Sequence, residues 1–428
     1  MSNSLITATG LAKEAQRVLH NNLGFLKGVD KQYSAEFANA GAKIGTTLNV
    51  RMPNRYYVSH TPTLQAQNTT EETVALQLTT QFQVGLNFTQ QDLTLSMDNF
   101  SERIIQPAMA RLASDMDWYA LSMAKDVYNS VGTPGTTPGS ALSQTGLRNV
   151  TAPTVFLNAG AVLDNFATPR DDKRRVVVNP TAMAGSVGGL SGLFNDQEAV
   201  GSQYKKGIIG HALGFEFVMD QNVNTLITGT RAITYTNLQA DGANQTGSTL
   251  LLTAEAQSQD TLTFKKGEQI TIAGLYSVNP ENQQSTGNLA QFTITADKTV
   301  AVGAGAQFSL SISPEIIYTG ATVSNGTVTG TQADNAVITI ISDASATAAT
   351  ASGNYPMNLA HHKDAFTFAT ADLEMPRGVD FAARETYDGI SMLVVRAYDI
   401  NNSQFPCRID VLAGWKTLRP EMACIIWG

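Results

Sequence analysis

The chain has few charged residues and almost no cysteine. Of its 428 residues only 15% are Asp, Glu, Lys or Arg, against about 25% in an average soluble domain. Because 43% of the residues are hydrophobic, the chain has enough apolar material for a core and is not a disordered protein. Cys407 and Cys424 are the only cysteines. A disulfide framework and a four-cysteine zinc site are therefore excluded, and we expect two reduced thiols.

Two targeting signals are also missing. No run of about 18 apolar residues occurs, so we expect no membrane-spanning helix. Residues 1–10 lack the basic start and apolar centre of a signal peptide, which predicts a protein made and used in a soluble compartment. The net charge of −8 argues against tight binding to nucleic acid, since phosphate binding requires a basic surface. The length suits about three domains or one elaborated domain.

The N-terminal region begins with a helical pattern. Leu11, Ala15, Val18 and Leu19 recur at helical spacing, and glycines and polar residues follow up to Gly41. An amphipathic helix of this kind must bury its apolar side somewhere. We expect its contact on this subunit or on another one.

Residues 46–88 alternate with a period of two, which predicts a long hairpin. The run from Val74 to Phe88 keeps one apolar face over about fifteen residues, corresponding to a single strand of roughly 50 Å. Its other face is uncharged from Thr73 to Asn87, so no charge discourages edge pairing. A two-stranded ribbon is marginal alone. We expect it to lie on something larger, with a hairpin inside an ordinary sheet as the alternative.

A long helix is predicted from Ile105 to Val127, where apolar residues recur at 3/4 spacing. About 24 residues would give a rod of roughly 36 Å. Pro107 indicates either the start of the helix or a kink. Candidate N-caps are Asp98, Asn99 and Ser101.

Residues 150–223 have an α/β texture. The patterns predict a helix over 155–166, a buried strand over 174–178, a glycine-rich loop over 185–192 and a strand over 214–220. From 224 to 352 Thr, Ser, Gly, Ala and Asn dominate, and short alternating strands include 292–295 and 308–312, with a hairpin corner at 264–272. We interpret this stretch, which carries 9 acidic and 4 basic residues, as a separate β-barrel or sandwich inserted between α/β parts.

The last part of the chain returns to the α/β texture. Residues 357–369 are predicted to form a helix followed by a strand. Three further strands are predicted over 391–400, 408–412 and 422–427.

No motif carries chemistry. The glycine-rich loop lacks the Gly-Lys-Ser/Thr of a P-loop, and Gly189-Leu-Ser-Gly192 lacks the last glycine of a hydrolase elbow. His361 and His362 are adjacent, so on the predicted helix they point about 100° apart and cannot share a metal; we interpret them as solvated or capping. Asp171 and Asp172 are expected in a surface turn. We therefore expect no catalytic residue, no metal and no cofactor, and not an enzyme.

The order of these parts resembles the major capsid proteins of tailed bacteriophages, which share the Hong Kong 97-type fold. Within this family it looks like the insertion-domain-bearing coat proteins of short-tailed Salmonella phages, which carry an inserted β-barrel. The resemblance covers essentially the whole chain and rests on order and spacing. Its local carriers are Asn99 to Ala110, Leu193 to Val200, Phe264 to Gly274, Arg408 to Trp415, and Arg419-Pro420.

The resemblance implies an α+β fold with six parts. These are an N-terminal arm (1–40), an E-loop hairpin (41–92), the spine helix of a peripheral domain (93–130), a first part of the axial domain (131–223), an inserted all-β barrel (224–352), and the completion of the axial and peripheral domains (353–428).

The resemblance also implies the function and partners. A structural capsid protein would form hexamers and pentamers on a scaffolding protein and close an icosahedral shell with a portal protein. The shell would enclose weakly contacted double-stranded DNA, sometimes with a decoration protein. Such a subunit is assembled in the host cytoplasm and becomes part of the virion, without a membrane. The alternatives are an encapsulin-like compartment shell and a tail or decoration protein; a hydrolase with an appended β-domain has no site to support it.

Candidate contacts between subunits are the charges of the hairpin, which are few and segregated. Arg51 and Arg55 lie on its first half, and Glu71 and Glu72 follow the tip. Some capsids of this fold join subunits by a Lys–Asn isopeptide bond from an E-loop lysine. Residues 44–88 contain no lysine, so we expect a shell without such cross-links.

Overall fold

The protein is described by a computed structural model. It describes residues 8–32, 47–69, 71–89, 104–138, 146–148, 151, 154–190, 209–231, 238–254, 260–302, 306–320, 323–344 and 353–428. The proposed N-caps Asp98, Asn99 and Ser101 lie outside these residues. The chain divides into two compact units. Unit 1 comprises 1–52, 73–121 and 366–418, and unit 2 comprises 53–72, 122–365 and 419–428.

The described residues form a mixed α+β fold that is mostly sheet, which confirms the predicted class. The α-helices are α1 (Ala8–Asn22), α2 (Gln106–Leu121), α3 (Thr154–Asn165) and α4 (Pro180–Leu190). Short 3-10 helices are Phe25–Gly28, Ser122–Asp126, Gly146–Arg148, Lys363–Ala365 and Pro420–Met422.

The strands are numbered in chain order. They are β1 (Thr47–Arg51), β2 (Thr73–Gln77), β3 (Thr80–Thr89), β4 (Ser130–Val131), β5 (Arg174–Val178), β6 (His211–Ala212), β7 (Phe215–Met219), β8 (Thr225–Ile227), β9 (Leu238–Ala240), β10 (Gly247–Ala254), β11 (Asp260–Phe264), β12 (Gln269–Val278), β13 (Ser285–Ile294), β14 (Lys298–Val302), β15 (Ala306–Ile316), β16 (Val328–Gly330), β17 (Ile338–Ile340), β18 (Asn354–His362), β19 (Phe366–Ala371), β20 (Phe381–Tyr387), β21 (Ile390–Arg396), β22 (Gln404–Thr417) and β23 (Ala423–Trp427).

In unit 1 the predicted N-terminal helix finds its partner within the subunit. The apolar side of α1 is buried and packs against α2 and β20. The chain that follows is held by Asp117 of α2, whose carboxylate accepts hydrogen bonds from the backbone N–H of Gly24 (2.6 Å) and Leu26 (3.0 Å). Asp30 then forms a parallel bridge with Thr367 of β19. Residues 8–32 are therefore part of the folded unit.

The sheet of unit 1 corrects the prediction of one fifteen-residue strand. The alternating run divides into β2, which pairs with β1, and β3, which pairs with the long strand β22. Leu76, Leu78 and Phe82 are all buried, so the alternation continues although the pairing partner changes. Alternation of apolar and polar residues shows which side of a strand faces the core, but it does not show which strand pairs with it. A Cβ at Gly414 would lie 2.0 Å from the carbonyl oxygen of Gln77. The backbone at the end of β2 can therefore approach β22 this closely only because residue 414 is a glycine.

The remaining strands of unit 1 complete a five-stranded sheet in the order β19-β22-β21-β20, with β3 paired to β22. Strand β21 confirms the prediction for 391–400 over most of its length. Strand β22 contains the predicted strand 408–412 and extends it at both ends.

The predicted long helix is shorter than expected. Helix α2 has 16 residues, about 24 Å, and the backbone tightens to a 3-10 helix at Ser122. Pro107 lies in the first turn, so it starts the helix and does not kink it. The apolar residues beyond Leu121 recur every three or four positions, a spacing that suits both helix types. Periodicity therefore could not find the end of the α-helix.

Unit 2 contains a seven-stranded sheet in the order β4-β23-β18-β5-β7-β6, with β8 paired to β18. Helix α3 packs on it; its Phe156 ring meets Phe217 of β7 edge-on, with ring centres 5.0 Å apart. The predictions of a helix at 155–166 and of strands at 174–178, 214–220 and 422–427 are confirmed.

The predicted glycine-rich loop is wrong, because Gly185, Gly188 and Gly189 lie in helix α4. The helix begins after Asn179, whose side chain accepts a hydrogen bond from the backbone N–H of Ala182 (2.7 Å), and Pro180 occupies its first position. A Cβ at Gly185 would lie 2.7 Å from the carbonyl oxygen of Pro138. That glycine serves close packing of the helix.

The prediction of a helix followed by a strand over 357–369 is wrong in its helical part, since these residues form β18, a 3-10 turn and β19. His361 and His362 therefore point to opposite faces of a strand. Both are buried, which corrects the interpretation as solvated or capping residues. His362 Nε2 lies 2.8 Å from Asp171 Oδ1. Burial lowers the pKa of His361 to about 4, so it is neutral at pH 7.

Six strands of unit 2 between residues 238 and 340 close into a ring. The ladders β12-β13-β15-β10-β9 form one continuous path, and β17 pairs with β12. The gap between β9 and β17 is bridged at Gln239 and Val337, and Ala240 N–H donates to the carbonyl of Ala336 (2.9 Å). Buried Leu, Ile and Phe side chains from these same strands form a hydrophobic core of their own.

The predicted strands at 292–295 and 308–312 lie in β13 and β15 and are confirmed. The predicted hairpin corner at 264–272 is a corner, but the strands on its two sides do not pair with each other. Strand β11 ends at Phe264 and pairs with β14, whereas β12 begins at Gln269 and pairs with β13.

Candidate assembly interface

The hairpin predicted to act between subunits has a firm base in unit 1. Strands β1 and β2 are antiparallel, with Thr47 opposite Gln77 and Arg51 opposite Thr73. Val50 and Leu76 are buried in a small core with Ala369. The base of the hairpin is therefore fixed to the five-stranded sheet by apolar packing.

The segment that connects the two strands, residues 53–72, is assigned to unit 2 and has no regular secondary structure in its described residues. The alternation predicted over residues 46–88 therefore does not produce a strand in this segment. Gln67 makes the hydrogen bonds that a partner strand would otherwise make. Its side-chain amide accepts one from Tyr57 N–H (3.0 Å) and donates one to Tyr57 C=O (2.5 Å). The connecting segment therefore has a defined local conformation without a partner strand.

Three apolar side chains of the connecting segment face solvent. The exposed fractions are 58% for Tyr56, 77% for Val58 and 90% for Leu64. Residues 56–69 carry no Asp, Glu, Lys or Arg. We call Tyr56, Val58 and Leu64 the tip surface. Because these exposed apolar side chains share one uncharged segment, that segment is a candidate for contact with another molecule.

The four predicted contact residues are distributed differently. Arg51 ends β1, and Glu71 and Glu72 directly precede β2; all three are exposed. Arg55 makes an ion pair within the chain, with its Nη2 3.2 Å from Glu421 Oε1. Sequence reasoning concentrated on charge and missed the tip surface. Its signal in the sequence was the uncharged run between Arg55 and Glu71.

The residues considered for chemistry do not converge. Asp171 and Asp172 lie in a turn, as predicted, and Asp171 pairs with Lys173 and His362. In the parts of the chain that the structure describes, no group of three or more His, Cys, Asp and Glu could hold a metal ion. Burial raises the pKa of the thiol of Cys424. Among the same residues no helix is long and apolar enough to cross a membrane.

Comparison with known proteins gives one match over almost the full length. A family model described as P22 coat protein, gene protein 5, matches residues 9–427. No curated protein matches the chain.

Similar folds occur among solved phage structures at low identity. A chain of Mycobacterium phage Che8 is 13% identical, with 94% of this chain and 90% of that one covered and a TM-score of 0.45. The capsid of cyanophage P-SCSP1u is 10% identical, with coverages of 90% and 83% and a TM-score of 0.42. The capsid of Ralstonia phage GP4 is 8% identical, with coverages of 94% and 86% and a TM-score of 0.40. Since these scores are below 0.5, the family match carries the assignment.

Proposed function

Because this chain belongs to the P22 coat protein family, we propose that it assembles as hexamers and pentamers through the hairpin of β1 and β2 and its connecting segment. The protein is a structural major capsid protein that forms an icosahedral shell, and it is a component of the virion. The proposal concerns how copies of the subunit recognise each other and what else they meet.

The finer parts of the proposal come from the resemblance. The shell is built on a scaffolding protein in the host cytoplasm, carries a portal and encloses double-stranded DNA that it contacts weakly. The acidic, charge-poor composition supports weak contact, because counterion release requires basic residues near phosphates. The role is structural, without catalysis and without a cofactor.

The proposed domain organisation keeps the six parts of a Hong Kong 97-type subunit. The closed ring of strands between 238 and 340, with a core of its own, supports an inserted barrel at 224–352. The connection between β1 and β2 supports an E-loop within 41–92, and α2 supports a spine helix within 93–130.

The tip surface is the observation that carries the assembly proposal. Exposing three apolar side chains on one segment is unfavourable for an isolated subunit, because apolar area in water costs about 25 cal/mol per Å². A neighbouring copy that covers them recovers this free energy once in every subunit of the shell. Charges at Arg51, Glu71 and Glu72 then surround an apolar contact and contribute mainly to its orientation.

Electron microscopy of the purified recombinant chain, with and without a co-expressed scaffolding protein, tests the proposal. We expect closed shells, with a more uniform size when the scaffold is present. Tubes would indicate a tail protein, and closed shells that are independent of scaffold would favour an encapsulin-like compartment. Compact monomers under both conditions would contradict assembly through the hairpin.

A further inference from the structure

A cleft in unit 2 has one residue of the connecting segment, Arg55, in its wall. Val278, Phe292 and Pro314 of the strands β12, β13 and β15 line one part of it, and Tyr128 and Pro420 line another. Arg55 belongs to the same lining. The barrel strands, the 3-10 turn at Pro420–Met422 and Arg55 therefore form the wall of one cleft.

Glu421 supplies a fixed anchor in this cleft. Its carboxylate lies 3.2 Å from the guanidinium of Arg55, and its side chain is only 17% exposed. Its backbone carbonyl accepts a hydrogen bond from Asn129 Nδ2 (3.4 Å). Burial raises the pKa of Tyr128, and the nearby carboxylate of Glu421 adds to this effect, whereas Arg55 opposes it. The ion pair therefore borders a buried, apolar environment.

The same segment carries two surfaces with different roles. Arg55 contacts its own subunit, and Tyr56, the next residue, begins the tip surface that faces solvent. For the tip surface to contact a neighbouring subunit, the connecting segment must adopt a position that the neighbour can reach. The contacts of Arg55 within its own subunit then influence how readily the segment adopts that position.

We propose that the cleft and Glu421 form a seat for Arg55 that holds residues 53–69 of the connecting segment on their own subunit before assembly, so that the inserted barrel regulates when the tip surface reaches a second copy. This inference rests on the proposed function, since it concerns the timing of assembly. The Arg55 side chain is 41% exposed, which suits a contact that can be released. A single, partly exposed pair changes an equilibrium by about two- to five-fold, enough to alter a rate without trapping the subunit.

The test uses unassembled full-length subunits and two readouts. Arg55→Gln and Glu421→Gln each remove the ion pair, and the double variant Arg55→Glu with Glu421→Arg restores it with reversed charges. Lys265→Gln is the matched control, because it removes an exposed ion pair of unit 2, that with Asp297, away from the cleft. Hydrogen exchange of residues 53–69 reports release of the segment, and light scattering reports the rate of assembly.

We expect two- to five-fold faster exchange of residues 53–69 and a shorter assembly lag in both single variants. The charge-reversed pair and the control should behave as the wild type, and salt at about 1 M should abolish the differences because it screens the pair. Unchanged hydrogen exchange in the single variants would contradict the proposal that the ion pair holds the connecting segment. Faster exchange together with slower assembly would contradict the proposed regulation. It would indicate that the ion pair stabilises the finished shell. Either result leaves shells visible by microscopy, whereas failure of the proposed function would leave none in the wild type.

Discussion

Arg231 and Glu268 form a two-pronged ion pair in which both side chains are completely buried. Nη1 lies 2.9 Å from Oε2, and Nη2 lies 2.6 Å from Oε1. Glu268 also accepts hydrogen bonds from the backbone N–H of Gly229 (2.9 Å) and Lys265 (2.7 Å). The guanidinium carbon of Arg231 is 5.2 Å from the ring centre of Phe264. The pair therefore connects the segment that precedes the barrel, at Arg231, with the corner that precedes β12, at Glu268.

Replacing Glu268 by alanine should strongly destabilise the subunit. The change leaves the guanidinium of Arg231 buried without its main carboxylate and removes the acceptor of two backbone N–H groups. Breaking a buried pair in this way costs about 3–5 kcal/mol of the free energy of unfolding. Urea unfolding of the full-length chain measures the loss.

Lys265→Gln is the control for this prediction. Lys265 pairs with Asp297 at 2.9 Å, but the two side chains are 44% and 59% exposed, so the expected loss is only about 0–1 kcal/mol. Equal urea midpoints for the two variants would contradict a structural role for the buried pair.

The isolated segment 224–352 should fold by itself. It contains the closed ring of strands, a hydrophobic core and the ion pair of Arg231 with Glu268. We expect a single cooperative thermal transition by circular dichroism. A segment that ends at residue 330 lacks β17 and leaves the ring open, so it should unfold without a sharp transition. Gradual melting of both segments would show that the proposed boundaries are wrong.

Leu64→Asp should impair shell assembly without unfolding the subunit. Leu64 is 90% exposed in the subunit, so the new charge costs little there, but it would be desolvated in a contact that covers the tip surface. Leu251→Asp is the control, because this leucine is 40% exposed on strand β10 of the barrel. Shell yield is measured by sedimentation and subunit stability by thermal melting. Equal shell yields from the two variants would remove the tip surface from the interface.

Reversing Glu71 and Glu72 to lysine should also lower the shell yield while the subunit stays folded. Both carboxylates are exposed beside β2. Single exposed charge pairs contribute about 0–1 kcal/mol, yet symmetry repeats each contact in every subunit. Unchanged yield in the same sedimentation assay would exclude these two residues from the interface.

Much of the order of elements could be predicted from sequence, and the errors have physical causes. Apolar periodicity predicted α1, α3 and β7, because each buries one face in a regular pattern. The strands β5 and β23 were predicted from short continuous apolar runs, and they are buried on both faces. It failed at His361 and His362, where a fully buried strand carries no alternation to separate it from a helix. It also failed at α4, because the packing of Gly185 against Pro138 is a tertiary contact that propensity cannot anticipate.

The candidate interface shows the same limit. Charges at Arg51, Glu71 and Glu72 were visible as a pattern within the hairpin. The partner of Arg55 was not, because Glu421 lies 366 residues away along the chain. A long-range ion pair leaves no local signal. The clamp of Tyr57 by Gln67 was equally hidden, since it depends on the path of an irregular segment.

Asp164 should make the stability of unit 2 depend on pH. Hydrogen bonds from Arg170, and then from Arg174, hold the pKa of this carboxyl below its usual value, although burial opposes them. A carboxyl with a depressed pKa stabilises the folded state above the pKa of the unfolded chain, about 3.9, and this stabilisation is lost as the pH falls below it.

The difference in free energy of unfolding between the wild type and Asp164→Asn should therefore be largest above about pH 5 and shrink as the pH falls through 4. Urea unfolding between pH 7 and pH 3 measures it. Asp172→Asn, which changes an exposed carboxyl in the nearby turn, should keep the wild-type pH dependence. A difference between the wild type and Asp164→Asn that is independent of pH would contradict the assignment.

The mature shell should contain no covalent links between subunits. An isopeptide bond of the Lys–Asn type needs a neutral amine on the projecting loop, and residues 44–88 provide only Arg51 and Arg55 as basic side chains apart from His60. Arginine cannot replace lysine, because its guanidinium stays protonated at physiological pH. Lys43, the nearest amine before the hairpin, precedes β1 and lies outside the described residues. Boiling mature particles in denaturing detergent should therefore release a single band near 45.7 kDa. A ladder of oligomers that resists reductant would disprove this expectation and require another amine donor.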